Sequence, residues 1–216
     1  MKNKYTKREA LRIIISMSKE YAKKLNGFNF LFIYRNRESN NIEFFETVFL
    51  PRNFQHLTGI EFLNEEGEIQ NKSVYFYKKC LKNRITEREI QFKKDGTTPL
   101  KLEALPKLVN FFHHSKMVAL YNETRPKLVV DRLVGTVSYC LGFAKDDKYY
   151  VPSSCLLEDI RNVGNKPSQI LAIMSKKAND DNHIYCNLCY KAKGVYINKL
   201  NLPTELEDMV ELSEED

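Results

Sequence analysis

The amino-acid sequence predicts an α+β fold with an N-terminal helix and β-hairpin, a helical middle and a C-terminal, mostly antiparallel sheet. Three observations carry this prediction. Two runs rich in aromatic and β-branched residues, "FNFLFIY" and "IEFFETVFL", flank the polar stretch "RNRESNN", which is a hairpin pattern. At about Lys116 the apolar residues change from helical to strand-like spacing. From there to Ala192 the strand-like runs follow one another too closely for the crossover helices that parallel neighbours need.

Each element follows in order. Leu11, Ile14, Ile15, Ser18, Ala22 and Leu25 recur at helical spacing, and Asn26-Gly27 stops the helix. The hairpin comes next, and Pro51 closes its second strand. Immediately beyond lies "NFQHLTGIEFL", in which His56 sits between Phe54 and Leu57 and Gly59 makes a turn. "SVYFYKKCLKN" and "LPKLVNFFHH" read as helices, the second with Pro106 at or near its first turn and Leu105, Leu108, Val109 and Phe112 as its buried stripe. Then "KMVALY", "KLVVD", "GTVSYCLGFA", "KYYVP", "QILAIMSKK" and "IYCNLCYKA" read as short strands. In the third of these, alternation puts Val137, Tyr139, Leu141 and Phe143 on the core face. Gly135, Thr136, Ser138, Cys140 and Gly142 form a small-residue face against which a helix can pack.

A chain of 216 residues, 43% hydrophobic and 12% aromatic, can bury one sizeable core. We therefore expect a single domain over residues 1–202 and an acidic C-terminal tail over 203–216. No run approaches the eighteen or so apolar residues of a membrane span, so no membrane partner is expected. The start "MKNKYTKREALRIIIS" lacks a small-residue cleavage site after its apolar stretch, which predicts a cytoplasmic protein. Five cysteines at irregular spacings predict reduced thiols.

Charge is segregated. Residues 1–37 hold ten Lys/Arg against two Asp/Glu, whereas "PTELEDMVELSEED" holds seven acids and no base. Without those seven acids the formal +6 becomes +13. Such a body suits a polyanion, and an acidic tail can compete for the same surface; a merely solubilising surface is the simpler reading.

Motifs narrow the chemistry. "CNLC" has no second Cys-x-x-Cys to complete a zinc site, and on a strand Cys186 and Cys189 point to opposite faces, so no metal is expected. There is no glycine-rich phosphate loop, no Gly-x-Ser-x-Gly elbow and no His-Glu-x-x-His, and no cofactor is expected. Of the four histidines, His113 and His114 end a helix, where the dipole favours imidazolium, and His183 lies in the polar turn "NDDNH". His56 remains for proton transfer.

The ordered series "FQHLTGIEF", "KKDGTTPLKLEALPKL", "KMVALYNETRPKLVVDRLVGTVSYCLGF", "YYVPSSCLLEDIR" and "ILAIMSKK" resembles the fourth class of phage barnase-EndoU-colicin-RelE-like nuclease domains, carried by phages and other mobile elements of Firmicutes. The resemblance runs from about Phe45 to Leu202. It implies a small RNase-like fold, helices on an antiparallel sheet, and metal-independent nuclease activity of toxin type. Such an RNase needs a base, an acid and cations around the phosphate. His56 with Thr58, Arg161 and Lys176 are the candidate catalytic residues, and Lys116, Arg125, Arg132 and Lys177 the candidate nucleic-acid contacts, with RNA ahead of DNA as partner. Two alternatives stay open. His56 can instead satisfy a buried backbone carbonyl. The whole chain can instead be a non-catalytic, anti-CRISPR-like module that occupies a nucleic-acid-binding host defence protein or sequesters nucleic acid.

Overall fold

The computed structural model describes residues 4–122, 128–179 and 183–211. Helix α1 (Lys7–Lys24) opens with a capping box between Thr6 and Glu9 and closes on Lys23 and Lys24, which suits its dipole; it buries Ala10, Leu11, Ile14, Ser18 and Tyr21. Strands β1 (Phe28–Arg35) and β2 (Ile42–Val48) form the expected hairpin, in a register that pairs Tyr34 with Glu43 and Phe32 with Phe45. A helical middle follows: α2 (Pro51–Thr58), the short pair β3 (Ile60–Phe62) and β4 (Ile90–Phe92), α3 (Ser73–Leu81), α4 (Thr97–Leu108) and α5 (Phe111–His114). The rest is β5 (Met117–Tyr121), β6 (Arg132–Thr136), β7 (Tyr139–Asp146), β8 (Tyr149–Leu156), α6 (Ile160–Val163), β9 (Gly164–Lys177), β10 (Asn187–Lys191) and α7 (Thr204–Glu207).

The eight-stranded sheet curls on itself. Its order is β1-β2-β8-β7-β6-β5-β9-β10, and β1 also pairs with β9, so seven strands close a ring. β9 makes this possible through its length: one edge serves β5 and then β10, while the other serves β1. Among these strands only β2 and β8 run parallel, joined by the single pairing Thr47–Tyr150; α2 and α4 pack against β8, and α4 also against β7. The inner face carries an aromatic core in which Phe32 stacks on Phe45 with ring centroids 4.8 Å apart, Phe143 meets both edge-on, and Phe30, Phe49 and Phe111 pack against one another beside them. On the outer face, Leu31, Ile33, Leu171 and Met174 pack under Tyr185, Ile197, Leu202 and Leu206, and α6 covers Ala119, Leu133 and Cys140.

Three local expectations change. Helix α4 begins nine residues before Pro106, because Asp95 accepts from the Thr97 amide at 2.9 Å and Gly96, at φ 75°, turns the chain into the helix. Pro106 therefore lies in the last turn, where its missing N–H weakens the helix just before it ends. Leu105, Leu108 and Val109 are buried as expected, but the helix breaks at Asn110 and Phe111 replaces Phe112 in the core. "GTVSYCLGFA" is a hairpin turning at Val137-Ser138: Val137 is 57% exposed, while Tyr139, Leu141 and Phe143 stay on the core side. Gly135 makes this closeness feasible, since a Cβ there would stand 2.0 Å from the Tyr139 carbonyl oxygen. The acidic stretch is packed as far as Glu211: Leu206 is fully buried, and the Glu211 amide donates to the Tyr185 carbonyl.

Candidate active site

One end of the ring gathers the β1–β2 turn, the ends of β5 and β7 and the starts of β6, β8 and β9. Strand alternation carries the apolar inner row Phe30, Phe32 toward this end and finishes it with Tyr34; on β2 the row from Phe45 finishes with Glu43. β6 contributes Arg132 and β8 contributes Tyr150. A cavity of about 160 Å³ opens here, lined among others by Tyr34, Asn36, Glu43, Arg132, Lys166 and Ser168. At ~30 Å³ per water it has room for about five waters, or a phosphate group.

The polar side chains form one chain of hydrogen bonds. Arg132 Nη1 donates to the Tyr34 phenol oxygen at 2.9 Å, the phenol donates to Glu43 Oε2 at 2.6 Å, and Asn36 Nδ2 donates to Glu43 Oε1 at 2.6 Å. Both carboxylate oxygens are thus held. The Arg132 guanidinium lies 5.0 Å from the Phe45 ring centre and 5.2 Å from that of Tyr150, a cation beside two rings that meet edge to face. Its Nε is buried with no hydrogen-bond partner. Burial, with the Glu43 carboxylate next in effect, pushes the Tyr34 phenol up to about 12, so it keeps its proton at neutral pH. The arrangement supplies a held carboxylate, a protonated phenol and a fixed cation within one network.

The residues expected to form the site do not converge. His56 lies on α2 against β8, lining a different cleft, with its ring bonded to the Ser153 backbone. Although the residue keeps a face to solvent, partial burial of the ring, followed by the charges of Lys101 and Lys93, lowers its pKa to about 4. It is therefore neutral at pH 7. The Thr58 hydroxyl is not its partner: it donates to the Gln55 carbonyl at 2.7 Å, accepts from the Ile60 amide at 3.2 Å and is fully buried. Gly59 does make the turn, at φ 68°, and Lys101 Nζ donates to the His56 carbonyl at 2.9 Å. Arg161 is exposed on α6, across the sheet from α2, in a two-pronged pair with Asp159. Lys176 is buried near the far end of β9, its ammonium 5.0 Å from the Tyr185 ring centre. Lys176 lies twelve residue steps along β9 from Gly164, next to α6, roughly 40 Å at ~3.3 Å each.

Of the expected nucleic-acid contacts, Arg132 is the centre of the cavity network. Lys116 Nζ lies 3.8 Å from the Tyr190 ring centre, and burial lowers its pKa. Lys177 is exposed at the end of β9, and Arg125 lies outside the described residues. His114 departs from the helix-dipole expectation: α5 has only four residues, and partial burial, with Lys107, His113 and Lys116 nearby, lowers its pKa. Among the described residues no group of three or more His, Cys, Asp or Glu converges to hold a metal ion, and Cys186 precedes β10, exposed, while Cys189 lies within it.

Tyr34, Asn36 and Glu43 were not legible as site residues by motif. The signal that locates them is the hairpin register, which sets the last inward positions of β1 and β2 opposite each other as a phenol and a carboxylate. A family model described as phage-Barnase-EndoU-ColicinE5/D-RelE like nuclease4 matches residues 13–193, a span that contains every residue of the Arg132 network. No curated protein and no solved structure matches the chain.

Proposed function

Since the chain belongs to the phage-Barnase-EndoU-ColicinE5/D-RelE-like nuclease 4 family, we propose that it is an endoribonuclease, a toxin-type enzyme of a phage or mobile element acting in the cytoplasm, with its active site in the Arg132 cavity. The observation that carries this reading is the unbroken chain Arg132–Tyr34–Glu43 at a phosphate-sized cavity. RNA is favoured over DNA because a base, an acid and a cation complete the chemistry only when the substrate brings its own nucleophile, the ribose 2'-hydroxyl.

Glu43 takes the proton of the 2'-hydroxyl, and the 2'-oxygen attacks phosphorus. Arg132 neutralises the charge that grows on the non-bridging oxygens. As the bond to the 5'-oxygen breaks, Tyr34 gives that oxygen its proton and recovers one from Glu43 along their hydrogen bond. The proton lost by the 2'-hydroxyl thus ends on the 5'-oxygen, leaving a 2',3'-cyclic phosphate and a 5'-hydroxyl end.

Arg132→Lys tests the assignment. It keeps the charge but loses the planar fork, so cleavage of labelled RNA in EDTA should fall about 100- to 1000-fold, the scale for losing a positioned transition-state donor. RNA binding should change far less. Wild-type protein that binds RNA without cutting it would favour the competing reading, a module that sequesters nucleic acid or occupies a host defence protein.

A further inference from the structure

The cleft lined by His56 has its own chemistry. It has a volume of about 410 Å³, and its walls include Arg52, Gln55, Gln70, Asn71, Ser73 and Lys93. The segment 69–75 forms a ridge between it and a second depression carrying Val74, Tyr75 and Lys78. On this ridge Ile69, Val74 and Tyr75 are 57%, 41% and 54% exposed, and the Tyr75 ring is backed by Phe62 at 6.1 Å and by Lys79 Nζ at 5.7 Å. Among the described residues, the side chains of Gln70, Asn71 and Ser73 and the Lys93 ammonium have no hydrogen-bond or ion-pair partner.

Exposed aromatic, amides without partners and cations on one surface match the needs of a single strand of nucleic acid: a ring on which a base stacks, donors and acceptors for base edges, and positive charge along the phosphates. Neutral His56 adds one more base-edge donor or acceptor without adding charge. The cleft also has a physical link to the Arg132 cavity. The β7–β8 hairpin touches both, since Tyr150 faces Arg132 while Asp146, paired in register with Tyr149, forms an ion pair with Arg52.

We infer that the His56 cleft and the Tyr75 ridge bind a single-stranded segment of the RNA substrate away from the scissile phosphate, Tyr75 stacking on a base and Lys93 and Arg52 meeting the backbone. This assignment rests on the nuclease reading, and it gives His56 a part in binding.

The test uses the full chain and a fluorescent twelve-residue oligodeoxyuridine, which lacks the 2'-hydroxyl and so reports binding independently of cleavage. Tyr75→Ala should weaken its binding about tenfold, within the range for one lost stack, and Tyr75→Trp should restore it. Lys93→Gln should weaken binding and lower the slope of log affinity against log salt by about one. A failure of the catalytic reading would appear in cleavage and not in this titration. Because Tyr75 is largely exposed, its variants should melt with the wild type. Tyr75→Ala binding within twofold of wild type, or wild-type protein that binds no oligonucleotide, would overturn the inference. So would an equal loss in the Tyr75→Ala cleavage of a dinucleotide too short to reach the ridge.

Discussion

Glu43→Gln removes one negative charge and its basicity while keeping the shape of the side chain, and the structure sets what else it costs. In the native site Oε1 accepts from Asn36 and Oε2 accepts from Tyr34. A glutamine can keep its carbonyl oxygen toward Asn36 and turn its amide toward Tyr34. The phenol oxygen then accepts from both the introduced amide and Arg132, and its proton turns away. Two hydrogen bonds to a charged acceptor, about 1.5–3 kcal/mol each, become neutral ones of about 0.5–1.5, so the expected loss of stability is about 2–3 kcal/mol. The fold should survive. Cleavage has no such substitute: without the base, the rate should fall at least about 100-fold. The measurement pairs single-turnover cleavage of 5'-labelled RNA in EDTA with a thermal melt of the same preparation. Cleavage within threefold of wild type in a folded Glu43→Gln protein would refute the role of Glu43 and the proton path through Tyr34.

Two further outcomes follow from the structure. The His56 pKa, about 4 when folded, lies below its unfolded value of about 6.5, so the unfolded chain binds the proton first. Its contribution to stability is therefore complete above about pH 6.5 and is lost as pH falls toward 4; the melting temperature of His56→Gln should drop less than that of wild type between pH 7.5 and 5, and parallel curves would contradict the shift. Neutralising Glu205, Glu207 and Asp208 to Gln, Gln and Asn should tighten RNA binding at low salt and fade as salt rises, because all three acids are exposed while Leu206 between them holds the helix to the sheet; unchanged affinity at low salt would show that this acidic segment does not compete for the RNA surface.

How much of this was legible in the sequence depended on whether a feature is local. The hairpin, α1 and the antiparallel run after Lys116 follow from spacing and turn residues, because alternation and helical period act within a few residues. Ring closure was not legible. It requires β9 to find β1 across some 140 residues, and nothing in "QILAIMSKK" alone reveals that one strand serves three neighbours. The site divided in the same way. Arg132 stood out as a cation next to a strand, but its partners come from the β1–β2 hairpin, nearly a hundred residues earlier in the chain. His56 drew attention as an isolated titratable ring in an apolar run. The burial and the two lysines that keep it neutral arrive from α4 and from the segment before it, which adjacency in sequence does not show.

In the proposed reaction the Arg132–Tyr34–Glu43 network cleaves RNA by using the substrate's own 2'-hydroxyl. The most direct measurement is cleavage, in EDTA, of an RNA cut at one mapped position, compared with the same RNA carrying a single 2'-O-methyl group on the nucleotide 5' to that bond. The first substrate should give 2',3'-cyclic phosphate and 5'-hydroxyl ends, and the second should not be cut at the blocked position. Equal cleavage of the two substrates, or 3'-hydroxyl and 5'-phosphate ends, would contradict it.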